Sequence, residues 1–134
     1  MTDAASSVRV VAAVVARDGR YLVCRRPDHK RHGGLWEFPG GKVHDGETRA
    51  DAIRRELSEE LELAATEVGE LLFTSGDEGS AFVIEFVETR ALGDPVLHEH
   101  SDAEWFRPDE LRELPLAPAD ARFVAWVSEK RRPS

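Results

Sequence analysis

The sequence predicts an α+β or α/β/α layered domain built on a mixed β-sheet. Three observations predict it. The pattern runs strands, one long helix, strands, then short helices, which fits layers rather than regular βα alternation. The chain has 134 residues, 41% of them hydrophobic and 33% charged. Against a prior of ~150 residues per domain, that is one domain with a self-sufficient core, too apolar to be disordered. The single cysteine, Cys24, excludes an internal disulfide framework and fits a reducing compartment.

The elements follow in order. Val8 to Ala16 is apolar and β-branched without alternation, so it reads as a strand buried on both faces. Asp18-Gly19 is a hairpin signal, and Tyr21 to Arg25 pairs back as a second strand. Asp28 to Gly34 is polar and ends in two glycines, which marks a loop. Leu35 to Phe38 is a short extended piece stopped by Pro39-Gly40-Gly41. Thr48 to Leu61 is the clearest helix, opened by a capping box of Thr48 and Asp51. Gly69 to Thr74 and Phe82 to Thr89 read as strands joined by a glycine-rich turn at Ser75 to Gly79. Gly93 to Asp102 is a loop, and Glu104 to Arg107 is a short strand. Pro108 opens a short helix, Asp109 to Leu114. Pro118 opens the last helix, with Phe123, Trp126 and Val127 as its apolar side. Residues 1–7 and 130–134 read as frayed ends of a single domain spanning 1–134.

Charge narrows the function. Lys and Arg total 18 against 26 Asp and Glu, a net charge of −8. That field opposes binding of nucleic acid polymers or anionic membranes through bulk charge. A small anionic substrate remains compatible if a metal or a local basic cluster offsets the field. The opening MTDAASS has no basic segment, and Val8 to Ala16 is too short to span a bilayer. The expected setting is therefore cytoplasmic, with the chain a monomer or weak homodimer.

The helix from Thr48 carries an unusual load. At ~100° per residue, Ala50, Ile53, Leu57 and Leu61 form one core stripe. Glu56, Glu59 and Glu60 lie on the adjoining face, with Glu60 at the stripe edge and Glu62 extending the acidic run. Ala52, one turn before Glu56, is small enough to leave room there. These acids sit at the negative end of the helix dipole, where each costs ~0.3–1 kcal/mol. Mutual repulsion adds to that cost, and Arg54 and Arg55 offset part of it. A solvated acidic face is the plain alternative. A hard divalent cation relieves the repulsion, since carboxylates at i, i+3 and i+4 can converge on Mg²⁺.

Just upstream stands Pro39-Gly40-Gly41-Lys42, which lacks the spacing of a Walker A loop. Alone it reads as a turn. Read onward, Gly41 is followed after five residues by Glu47, and after seven more by Arg55-Glu56-Leu57, then Glu59-Glu60 and Leu63. This pattern resembles the Nudix box of the Nudix (MutT-like) hydrolases. The family usually has glycine where Glu62 stands, so Glu62 implies local strain or a slightly longer helix. Arg25-Arg26-Pro27, Leu35-Trp36-Glu37-Phe38-Pro39, Glu104-Trp105-Phe106 and Leu114 to Asp120 extend the resemblance over most of the chain.

The resemblance implies an α/β/α sandwich around a mixed sheet and a hydrolase using Mg²⁺ or Mn²⁺. Within that pattern Glu56, Glu59 and Glu60 are the metal acids, joined by the Gly40 carbonyl. Glu47 supports the cluster and Arg55 orients a carboxylate. Glu99, six residues before Trp105, is the expected acid from outside the box, ahead of Asp102 and Glu78. His98 and His100 flank Glu99, and a His-Glu-His zinc site would need further ligands. Arg26 and Lys42 are candidates for phosphate, with Glu37 and Asp120 also on the substrate side. Trp36 and Phe38 are either core or base-pocket residues, and Cys24 is a small buried strand residue. Asp120 is either a helix-start acid or a base reader, because a carboxylate accepts from the cytosine amine or a guanine N–H edge.

The expected reaction is hydrolysis of a nucleoside triphosphate to monophosphate and pyrophosphate, on (d)CTP-type pyrimidines or oxidised purines such as 8-oxo-dGTP. The alternatives are another nucleoside diphosphate derivative (ADP-ribose, a dinucleoside polyphosphate) or a silent nucleotide-binding module. The three intact acids argue against silence.

Overall fold

The computed structural model describes residues 8–76 and 81–130. Val8–Arg17 (β1) and Arg20–Arg25 (β2) form the expected hairpin, but they pair only at Ala16↔Tyr21 and Arg17↔Arg20. Beyond that point they part. β1 continues beside Phe82–Leu92 (β6), parallel from Val8↔Phe82 to Val15↔Thr89. β2 continues beside Asp102–Phe106 (β7), antiparallel from Tyr21↔Phe106 to Arg25↔Asp102.

Residues 36–42 bridge the split. Trp36–Glu37 (β3) pairs with β2, while Gly40–Lys42 (β4) pairs antiparallel with β1. β4 carries no strand signature of its own, because Pro39-Gly40-Gly41 has the composition of a break. It forms because a Cβ at Gly40 would collide with the Val11 carbonyl, so only glycine lets these backbones approach. Ala64–Gly76 (β5) lines the outer side of β6, giving a seven-stranded sheet that is mixed, as expected.

β5 starts earlier than expected, directly after the helix. It is an exposed edge strand with register shifts at Ala65/Glu67, Val68/Leu71 and Leu71/Phe73. Those shifts break the alternation by which a strand is recognised. Ser75 and Gly76 belong to β5, and Glu78, with the rest of the expected turn, lies outside the described residues.

Helices cover both faces. Arg49–Leu61 (α1) packs Ala52, Ile53, Leu57 and Leu61 against Val11, Ala13, Val15 and Val87. The stripe therefore runs through Ala52, which is fully buried, rather than through the half-buried Ala50. Thr48 Oγ1 accepts from the Asp51 N–H, and the Asp51 carboxylate turns to Arg54. On the opposite face lie Pro108–Leu111 (α2) and Pro118–Lys130 (α3). There Phe123 stacks on Phe86 at 4.7 Å, with Phe38 edge-on to both. β1 alternates between the two cores, so it is buried on both faces as its composition predicts. α2 ends at Leu111, short of the expected Leu114, and Lys130 is helical rather than frayed. The expected frays at 1–7 and 131–134 lie outside the described residues. No helix among the described residues is long and apolar enough to cross a membrane.

Candidate functional site

The mouth of the split sheet holds a cavity of about 190 Å³. It gathers residues far apart in sequence: Arg26, Glu37, Gly40, Glu60, Glu99 and Asp120 all line it. Glu56 adjoins it through Gly41, where a Cβ would stand 2.5 Å from the Glu56 carboxyl. Glycine at 41 is what lets this carboxylate lie against the strand.

Arg55 organises the acids around α1. Its Nε and Nη2 donate to the two oxygens of Glu47 at 2.7 and 3.0 Å, and Nη2 also reaches the Lys42 carbonyl. Its Nη1 donates to Glu56 at 2.9 Å and to Glu59 at 3.2 Å. The paired guanidinium and the His44 N–H hold the Glu47 carboxyl at about 2, well below its ordinary value. Arg55 thus supplies the counter-charge between Glu56 and Glu59.

Among the described residues Glu60 has no such partner. Its Oε1 is buried without a hydrogen bond, and burial raises its pKa to about 7. His100 opposes that shift, while the charges of Glu56, Glu37 and Glu99 reinforce it. An orphaned buried oxygen among like charges is costly unless a cation meets it. Among the described residues, no three His, Cys, Asp or Glu side chains converge closely enough to hold a metal as they stand. The donors are nonetheless hard oxygens of the kind that Mg²⁺ or Mn²⁺ takes, with Glu56 and Glu59 bonded to Arg55 Nη1.

The loop before β7 is pinned at several points. Val96 N–H donates to the Leu61 carbonyl, and Ser101 N–H to that of Arg25. Glu99 is exposed at the cavity rim, 3.8 Å from Lys30. His98 and His100 do not join it: His98 pairs with Glu62, and His100 with Glu37. The possible His-Glu-His zinc cluster is therefore not assembled. Asp102 hydrogen-bonds Glu104, which raises the Glu104 pKa, and it does not line the cavity. Glu78 lies outside the described residues.

In the same cavity, Arg26 Nη1 lies 3.2 Å from both Glu37 oxygens. Asp120 is buried and accepts the Phe38 N–H at 2.9 Å, a role its position at a helix start did not reveal. Phe38 is both core and cavity wall, whereas Trp36 packs edge-on to Phe106. Lys42 is opposite Val10 in the ladder, beside the cavity, with its Nζ 5.4 Å from the Phe82 ring centroid. Cys24 is fully buried, and burial with the charges of Glu37, Glu60 and Asp102 raises its thiol pKa. His100 is the cavity residue that sequence reasoning undervalued. It was visible only as a flank of Glu99, and its contact to Glu37 spans 63 positions.

Comparison with known proteins agrees with this architecture. A family model for the NUDIX domain matches residues 6–127. A CTP pyrophosphohydrolase of Escherichia coli is 41% identical over 116 residues, covering 84% of this chain and 85% of that protein. A putative 8-oxo-dGTP diphosphatase of Mycobacterium tuberculosis is 34% identical, with 87% and 84% covered. The crystal structure of a MutT NUDIX hydrolase from Burkholderia pseudomallei superposes with a TM-score of 0.79 at 30% identity, covering 90% of this chain and 98% of that one.

Proposed function

The chain belongs to the NUDIX domain family of hydrolases, and on that premise we propose that it cleaves (d)NTP to (d)NMP and pyrophosphate in a Mg²⁺- or Mn²⁺-dependent reaction. The substrates proposed are (d)CTP-type pyrimidines or oxidised purines such as 8-oxo-dGTP. The observation that carries this reading is one cavity lined by the acids Glu60 and Glu99 together with Arg26, Glu37 and Asp120. That lining suits a nucleotide whose phosphates lie towards Glu60, Glu99 and Arg26 and whose base lies towards Asp120 at the start of α3.

Glu56, Glu59, Glu60 and the Gly40 carbonyl would hold the cation, with Glu99 adding a ligand or positioning water. When bound, such a cation neutralises the polyphosphate and polarises its oxygens. Arg55, itself fixed by Glu47, orients Glu56 and Glu59. Arg26 meets a phosphate, and Lys42 adds positive charge at the rim. Asp120 accepts from the donor edge of the base. Water forms the new bond to phosphorus as the bridging P–O bond breaks towards pyrophosphate. The protein is proposed to act as a single domain, monomeric or weakly dimeric, on the cytoplasmic nucleotide pool.

The test is a nucleotide panel with Mg²⁺, the products separated by chromatography. Monophosphate plus pyrophosphate from CTP, dCTP or 8-oxo-dGTP is expected. Cleavage of ADP-ribose or a dinucleoside polyphosphate alone overturns the triphosphate reading. Tight nucleotide binding without turnover overturns the enzymatic one.

A further inference from the structure

We propose that His100 is a positioning residue that fixes the phosphate-facing Arg26 through Glu37. The inference rests on the reading of the cavity as a nucleotide site. The His100 side chain is only 6% exposed and the Glu37 side chain 22%. His100 Nε2–H donates to Glu37 Oε2 at 2.9 Å. The same carboxylate accepts from Arg26 Nη1 with both oxygens, so it joins the two side chains.

Arg26 is held on a second side, where its Nε donates to the Arg31 carbonyl at 2.6 Å. Two of its three nitrogens are thus committed. Among the described residues Nη2 has no partner, and Arg26 lines the cavity. A guanidinium tied in this way offers one donor edge to an anion with little orientational freedom left to lose. Glu37 sits in the β2 ladder opposite Cys24, so its backbone cannot follow a wandering side chain. His100 is equally constrained, because the next residue, Ser101, is bonded to the Arg25 carbonyl.

The imidazole is not placed for packing. Its Nδ1 is buried without a partner among the described residues, a cost that an apolar side chain of similar size would avoid. What it supplies is a fixed donor to Glu37 Oε2, one of the two oxygens that Arg26 also engages. The effect on substrate is indirect, and it should fall on phosphate binding rather than on the bond-breaking step.

The test compares wild type with His100→Leu, which keeps volume and removes the donor, and His100→Gln, which keeps a donor. Each is made alone and with Glu37→Gln. Steady-state kinetics are run on the anhydride the wild type cleaves fastest, and calorimetry measures binding of the α,β-methylene analogue of CTP with Mg²⁺. His100→Leu should raise both KM and the analogue's Kd roughly tenfold, the size of one lost orienting hydrogen bond, with kcat within about threefold. His100→Gln should recover most of the loss, and His100→Leu should add nothing once Glu37 is Gln. A fall in kcat at unchanged KM, no change at all, or the full loss persisting in the Glu37→Gln background overturns the proposal. Thermal melts of both His100 variants separate these effects from misfolding, and His100→Gln failing to outperform His100→Leu counts against it. The wild type's choice of substrate tests the function reading separately, since the relay is judged only by differences among variants.

Discussion

Replacing Glu62 by glycine is expected to stabilise the protein although it deletes a side-chain contact. Glu62 caps α1 at φ 54° and ψ 39°, so the helix ends at Leu61 and does not run on. A residue with a Cβ is strained by ~1 kcal/mol or more in that left-handed conformation. The Glu62 carboxylate also stands at the negative end of the helix dipole, which costs ~0.3–1 kcal/mol. Against these stands the 2.6 Å pair with His98, whose side chains are 47% and 52% exposed. A pair that open to water contributes ~0–1 kcal/mol. The backbone and dipole terms outweigh the pair, leaving a net gain of ~1 kcal/mol, or about 3–5 °C in Tm for a domain of this size. Thermal unfolding in metal-free buffer reads the difference. Glu62→Ala is the control: it keeps the strain while losing both charge and pair, so it should gain less than Glu62→Gly. If Glu62→Gly melts at or below the wild-type temperature, the strain argument fails.

Glu60→Gln should lower turnover by orders of magnitude while the fold survives, and should abolish a rise in Tm with Mg²⁺ or Mn²⁺ that wild type shows. That rise corresponds to ~1.4 kcal/mol at tenfold excess over Kd, and its absence in wild type would contradict metal binding by these acids. Glu85 is buried between Arg9 and Arg49 at 2.7 Å from each, which lowers its carboxyl pKa. A carboxyl lowered on folding stabilises above its unfolded pKa of ~4.3 and loses that stabilisation as pH falls through the folded value. Glu85→Gln should therefore melt below wild type at pH 7 and converge with it in acid; parallel Tm curves would rule the ion pairs out as the cause. Asp120→Ala should cost ~1–3 kcal/mol in unfolding experiments by leaving the Phe38 N–H unpaired, whereas Asp120→Asn keeps an acceptor. Asp120→Asn should still change relative kcat/KM among CTP, dCTP, GTP and 8-oxo-dGTP, and an equal change on all four would leave Asp120 a structural residue only.

What could be read from the sequence was whatever the local period carries. β1, α1 and the order of the layers follow from runs and stripes within a few residues of one another. The acids of α1 were legible for the same reason, since one helix fixes their relative placement. β4 was not legible, because its strand character comes from the close approach of Val11 and not from its own residues. β5 was only partly so, because an exposed edge with bulges loses its period. The partners of the later loop were hidden too. Glu99, His98 and His100 are adjacent in sequence, yet Lys30, Glu62 and Glu37 draw them apart, which no spacing rule encodes.

The division of the sheet explains why the site forms where it does. A continuous β1–β2 pairing would leave no room between those strands for residues 36–42. Because the hairpin opens beyond Ala16 and Tyr21, the chain can pair first with β2 and then with β1, turning at Phe38-Pro39. That turn is fastened from both directions: Ala13 N–H donates to the Pro39 carbonyl, and Asp120 accepts the Phe38 N–H from α3. One short segment thereby delivers Glu37 to Arg26 and His100, and sets Gly41 against Glu56. Glu60 of α1 and Asp120 of α3 reach one cavity because this segment touches both layers. Loosening it would separate the two ends of the site without altering any side chain assigned to binding or catalysis.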